Sequence, residues 1–294
     1  MPNRRIMTIT LATISSTIAA GDATAITYPH TILNHGDNRV VVALPDPDKG
    51  YYRGKRFDWS GIITHWEKQG HTFAGELKKP HNPNKHDGAA GPVEEFDMQG
   101  NASFQEAQMG EEFYKIGVGI LIKNNEKYQF FRRYKVSRLL PWKIQTTANS
   151  ITFTQKLDNL RGWGWIYSKT LRWHEERKDT LQIMHTLTNT GSRALTTEHY
   201  NHSMFCLDDT PVGSSYRLTI PMATGFPLKP RAAEKVKVIP PNTLVFREPV
   251  LKGSFWTQVT IPDQAGGQRL DPLFVISVPQ KGLQLEVAMD RPLS

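Results

Sequence analysis

A single cysteine, Cys206, stands in 294 residues, so no disulfide can form within the chain and no zinc site can be assembled from several thiolates. Flanked by Phe205 and Leu207, it reads as a small buried residue. No run of five Lys or Arg occurs, although the formal charge is +8. Basic residues scattered in this way argue against nucleic acid as a partner. They leave room for anionic partners such as an acidic polysaccharide. No apolar stretch is long enough to span a bilayer. There is no P-loop, no dinucleotide fingerprint and no Gly-x-Ser-x-Gly elbow, so no cofactor is expected. Amphipathic helical periodicity never extends beyond about three turns, and Ser103 to Phe113 is the one weak helical candidate.

The chain is instead rich in short strand-like segments divided by Pro and Gly turns. Arg39–Leu44, Ile116–Ile122, Ser150–Gln155, the alternating stretch from Leu181, Arg217–Pro221, Lys235–Ile239, Thr243–Phe246, Leu273–Val278 and Leu283–Val287 all fit. Many short strands without interleaved helices predict an all-β fold, a large antiparallel β-sandwich. No repeat or flexible linker divides it, so residues 26–294 are read as a single domain. Before it, Arg4 and Arg5, the mildly apolar Ile6–Ala20 and the small-x-small Ala23-Thr24-Ala25 fit an export signal over residues 1–25. That pattern predicts a secreted or periplasmic protein.

The least sheet-like segment is Glu76–Met109, rich in Lys, Pro, Asn and Gly, and it is expected to be a long loop, either a lid or a surface excursion. It carries His81, His86, Asp87, Glu94, Glu95 and Asp97. His81, His86 and Asp87 lack a firm further ligand, so no metal site is predicted. Upstream, Tyr51–Trp66 sets Arg53 and Arg56 among Tyr51, Tyr52, Phe57, Trp59 and Trp66. Guanidinium groups suit hydroxyl pairs and carboxylates, and flat rings suit the C–H faces of sugars. Trp163 and Trp165 share a strand face and are read as core.

The richest stretch is Leu181–Asp209. An alternating strand, the turn Asn189-Thr190-Gly191 and a polar strand lead to Asn201-His202-Ser203-Met204-Phe205. With side chains alternating at period two, Glu198, Tyr200 and His202 share a face. His199, three residues before His202, falls on the opposite face, so the two cannot share a metal without a bulge. An imidazole beside a phenol and a carboxylate is equipped to move protons near neutral pH.

This stretch resembles the Asn-His-x-Tyr-Phe signature of aldose 1-epimerases (galactose mutarotases) and their relatives, with Met204 in place of the usual aromatic. The resemblance is clearest over these roughly thirty residues and diffuse elsewhere, and the short motif gains specificity from the turn and strand that accompany it. It implies a mutarotase-like sandwich whose concave sheet holds a sugar or oligosaccharide. It also implies His202 as the acid that protonates the ring oxygen, and a late glutamate as base. Glu286 is the best placed of these, with Glu248 and Glu198 as rivals, and an arginine (Arg53 or Arg56) holds the sugar. Tyr200 joins the candidate catalytic set, and Trp59, Glu198 and Asn201 the candidate binding set. Two other readings stay open: a lyase acting on an acidic sugar, with Tyr200 or His202 as base, and a carbohydrate-binding protein without turnover.

Overall fold

Alternation of apolar and polar side chains decides the architecture. In a computed structural model of the protein, strand accounts for 48% and helix for 6%, arranged as several antiparallel sheets with no barrel among the described residues. The fold is therefore all-β and of the sandwich class. The structure describes residues 4–12, 26–76, 79–177, 179–249, 254–262 and 270–289.

In chain order the first strands are β1 (Arg4–Ala12), β2 (His30–His35), β3 (Asn38–Ala43), β4 (Ile62–Lys68), β5 (His71–Thr72) and β6 (Gly91–Asp97). After the short helix α1 (Ala102–Glu106) come β7 (Glu112–Lys115), β8 (Gly119–Ile122), β9 (Lys135–Leu139), β10 (Trp142–Thr146), β11 (Ser150–Leu160), β12 (Trp163–Trp173), β13 (Leu181–Asn189), β14 (Glu198–Met204) and β15 (Arg217–Thr219). Helix α2 (Pro230–Lys235) precedes β16 (Val236–Ile239), β17 (Thr243–Phe246), β18 (Ser254–Pro262), β19 (Leu270–Val278) and β20 (Leu283–Met289).

The chain falls into two compact units, residues 21–205 and residues 1–20 with 206–294. The larger holds the sheets β2-β3-β4-β5, β7-β8-β9 and β10-β11-β12-β13 and the ribbon β6-β14. The smaller holds the five-stranded sheet β16-β17-β15-β19-β20 and the pair β1-β18. β1 lies within the span expected to be an export signal and pairs antiparallel with β18. Ala23-Thr24-Ala25 lies outside the described residues.

Two segments differ from the sequence-based expectation. Residues 76–109 are not one loop, because they contain β6, which is buried along nearly all its length, and α1. The polar run before β6 hides a strand that begins where Gly91 turns at φ +58, so close to Ile63 that a side chain would meet its carbonyl oxygen at 2.2 Å. The helix predicted over Ser103–Phe113 is only Ala102–Glu106, capped by the Asn101 side chain on the Ser103 N–H. Glu112 and Phe113 instead begin β7, which turns tightly into β8.

The core of the larger unit is aromatic. Trp163, Trp165, Tyr167 and Leu171 of β12 are all at most 1% exposed, and Trp163 and Trp165 pack on Tyr114 as core residues. Every odd position of β12 from Trp163 to Trp173 is buried, and that parity includes Lys169. Cys206, the first residue of the second stretch of the smaller unit, is buried as well.

Candidate functional site

The ribbon β6-β14 organises the chemistry. Its register sets Tyr200 opposite Glu95, Asn201 opposite Glu94 and His202 opposite Val93. Consecutive side chains leave a strand on opposite faces, so Glu94 and Glu95 point apart, as do Asn201 and His202. The ribbon therefore has two functional faces.

On one face His202 Nε2 lies 2.9 Å from Glu95 Oε2, and Arg56 Nε donates to the same oxygen at 2.8 Å. The Phe57 ring stands edge-on to the imidazole with centroids 5.1 Å apart. The Arg56 guanidinium lies over Phe57 at 4.6 Å and Phe130 at 4.2 Å. Phe130 is 41% exposed and packs edge-on against Phe131, 54% exposed, with centroids 5.4 Å apart, and the His86 ring lies 5.8 Å from Phe130. Beneath, Lys115 is fully buried and donates to the Phe96 carbonyl at 2.5 Å. Burial lowers its pKa to about 8, with Glu95 and Asp97 opposing. Burial also pushes Glu95 upward, but the His202 hydrogen bond and the charges of Arg56 and Lys115 outweigh it, so this carboxylate is held below its ordinary range. The Tyr128 ring lies 5.3 Å from the Lys115 ammonium, and its buried hydroxyl has no hydrogen-bond partner among the described residues.

The expected site residues divide sharply. His202 and Arg56 come together through Glu95. Tyr200 and Glu198 share the His202 face, and the exposed Tyr200 hydroxyl donates to Glu198, a hydrogen bond that raises the pKa of the phenol. Asn201 belongs to the other face, where its Nδ2 donates to Glu94 Oε1 at 3.1 Å. Arg53 folds back on its own loop. Its backbone N–H donates to Pro83 O at 2.7 Å and its guanidinium to Asp48 O. Trp59 is not an open platform: it is 4% exposed, its indole N–H donates to Gly54 O at 2.7 Å, and the Lys55 ammonium lies 4.7 Å from its ring. Glu286 belongs to the smaller unit, on the exposed side of β20 opposite to Leu283 and Leu285, with Gln284 donating to it at 2.7 Å. Glu248, one rival, is bridged by Lys235 at 3.6 Å in that same unit.

The carboxylate against His202 is thus Glu95, on β6, within a segment whose composition alone resembles a loop. Its signal was present: Val93-Glu94-Glu95-Phe96 sets two acids inside an apolar frame, and strand alternation sends them to opposite sides.

On the other face Glu94 is fully buried and bonded by the equally buried Lys169. Burial alone would raise Glu94, but Lys169 and then His185 hold it far below its ordinary value. His199 packs against Phe96 at 4.7 Å and His185 at 4.9 Å. This packing, and then the neighbouring imidazole, lower its pKa to about 4. His199 and His202 do lie on opposite faces. Among the described residues no group of three or more His, Cys, Asp or Glu side chains is arranged to hold a metal ion, and no helix is long and apolar enough to cross a membrane. No protein-family model, curated protein or solved structure matches the chain.

Proposed function

We propose that the His202 face binds a sugar and interconverts its anomers by acid–base ring opening. The carrying observation is the 2.9 Å contact of His202 Nε2 with a Glu95 oxygen that Arg56 also holds. Acid and base are hydrogen-bonded to each other, and a hemiacetal presents two oxygens on one carbon. A bound sugar replaces the mutual hydrogen bond with two bonds of its own. Nε2–H of a protonated His202 meets the ring oxygen, and Glu95 meets the anomeric hydroxyl.

As the C1–O5 bond breaks, the His202 proton passes to O5 and the O1 proton passes to Glu95, leaving the open-chain aldehyde. Rotation about C1–C2 and reclosure give the other anomer, and the two protons return. His202 and Arg56 keep Glu95 ionised at neutral pH, so an unprotonated carboxylate is ready to accept the hydroxyl proton. Phe130 and Phe131 offer apolar faces for the sugar's C–H bonds. In this reading Glu95 takes the role that the family resemblance assigns to a late glutamate. Export from the cell is part of the proposal and rests on the pattern of residues 1–25.

A lyase reading draws support from Arg56, which would neutralise a uronate carboxylate beside His202. Polarimetry on fresh α-glucose and α-galactose, with ultraviolet absorbance followed on uronate polymers, separates the two. The expected result is faster decay of optical rotation than in buffer, no new chromophore, and a loss of about 10²-fold or more in His202→Gln. A rise in absorbance would replace this reading with elimination. Sugar binding without acceleration would leave a non-catalytic binding protein. Neither binding nor turnover of any sugar would end it.

A further inference from the structure

Behind β6, on the side away from His202, six residues close a ring of polar contacts. Ser60 Oγ donates to Asp58 Oδ2 at 2.7 Å and its N–H donates to Oδ1 at 2.9 Å. The Tyr167 hydroxyl lies 2.8 Å from the same Oδ2 and 3.1 Å from His185 Nδ1. His185 Nε2 lies 3.5 Å from Glu94 Oε1. The other Glu94 oxygen is bonded by the Lys169 ammonium, which also donates to the Ser60 carbonyl at 2.8 Å and so completes the circuit. Asp58, Ser60, Glu94, Tyr167 and Lys169 are each at most 1% exposed. Of the six, His185 alone reaches the surface, with its side chain 25% exposed. Gly117, at φ +79, permits this burial, because a side chain there would stand 2.7 Å from Asp58 Oδ1.

The ring is short of positive charge. Two carboxylates face one ammonium, and an uncompensated buried charge is costly in a medium of low dielectric. One more proton makes the set neutral, and the hydrogen-bond directions allow two places for it. Tyr167 has one proton and two neighbours that want it. If it donates to Asp58, it must accept from His185 Nδ1–H. With a second proton on Nε2, which faces Glu94 at 3.5 Å, His185 is then an imidazolium. If the proton sits on Asp58 instead, Asp58 donates to Tyr167, whose own proton turns to Nδ1, and neutral His185 keeps its Nε2–H toward Glu94. The heavy atoms need not move between these states.

We propose that Asp58, Tyr167 and His185 form a proton relay that carries one proton between a buried carboxylate and a surface imidazole, making His185 a second acid–base centre separate from His202. In the inward step the His185 Nδ1–H bond breaks and its proton joins Tyr167 Oη while the phenol's own proton joins Asp58 Oδ2. A +1/−1 pair becomes a neutral pair and no other reactant is required. Burial, the largest influence on Asp58, and Glu94 raise its proton affinity while Lys169 lowers it, so the inner end is able to hold the proton. The other groups bearing on the relay are His199, 4.9 Å from His185, Lys115, which acts on Asp58, and Asn201, which bonds Glu94. The exposed edge of His185, beside His199, is where the proton is exchanged with water or a bound hydroxyl compound.

The test is NMR on the full chain labelled with ¹⁵N-histidine and ¹³Cγ-aspartate. The His185 ring nitrogens and the Asp58 carboxyl are followed against pH. In the unmodified protein both probes are expected to move together with a shared midpoint, as coupled sites do. In Tyr167→Phe the Asp58 signal is expected to lose that midpoint. In His185→Gln, Asp58 is expected to show a protonated carboxyl at neutral pH. An Asp58 signal that stays constant while His185 titrates, or a joint titration that survives Tyr167→Phe, overturns the relay. If Tyr167→Phe does not fold, the unmodified protein and His185→Gln decide it.

Discussion

Glu94 and Glu95 are neighbours in the chain and opposites in their surroundings. Glu94 is sealed behind β6, its charge matched by a buried ammonium, and its surroundings are internal to the fold. Glu95 faces an imidazole and a guanidinium that remain partly open, with side chains 28% and 16% exposed, and the exposed Phe130 ring lies next to Arg56. One strand therefore carries a carboxylate enclosed with its counter-charge and a carboxylate whose partners reach solvent; under the function proposed above, removing the first costs stability and removing the second costs chemistry. Desolvation separates the two roles. A fully enclosed pair cannot lose one partner without stranding a charge, whereas the buried Glu95 leaves partners, Arg56 and His202, that keep part of their contact with water.

The largest expected effect is on the sealed side. Lys169→Met strands Glu94 and is expected to cost about 3–5 kcal/mol in urea unfolding. Glu95→Gln, which leaves neutral hydrogen bonding in place, is expected to cost about 1 kcal/mol. Equal losses would erase the distinction between the faces. The converse holds for activity: His202→Gln is expected to abolish sugar turnover while the unfolding midpoint shifts by no more than about 1 kcal/mol in stability. A fold that collapses on this change would make His202 structural.

A smaller effect is expected with pH. His199 has a folded pKa of about 4 against 6.5 for the ordinary imidazole, so the unfolded chain binds the extra proton between these values. Stability is expected to fall as pH drops from 6.5 toward 4, and His199→Gln is expected to flatten that slope in thermal melts. Glu95 is depressed, so its contribution is present at neutral pH and is lost only as pH falls below the ordinary carboxylate range. The smallest change expected is from Phe131→Ala: a few-fold rise in KM for the sugar with stability within about 0.5 kcal/mol.

The sheet architecture was legible in the sequence because period-two alternation is local, and the strands around Ser150, Leu181, Thr243 and Leu283 all appear, mostly longer than read. The candidate histidine was legible because its strand follows a clear turn, and alternation placed His199 and His202 on opposite faces. What was hidden depends on pairing across long separations. Arg56, Glu95 and His202 come together only because β6 pairs with β14 more than a hundred residues later. β6 itself was masked by the Lys, Pro and Asn run before it. Lys169 sat in plain view on the inward parity of β12, where an unpaired lysine is not tolerated. That mismatch of a charge with its face is the readable sign of a buried network.

The most direct measurement is a sugar titration watched by NMR of the histidine side chains. With galactose or glucose added, the His202 ring signals are expected to shift saturably while those of His185, which reaches the surface on the other side of the ribbon, shift less or not at all. Shifts at His185 with none at His202, for any sugar that binds, would contradict the account.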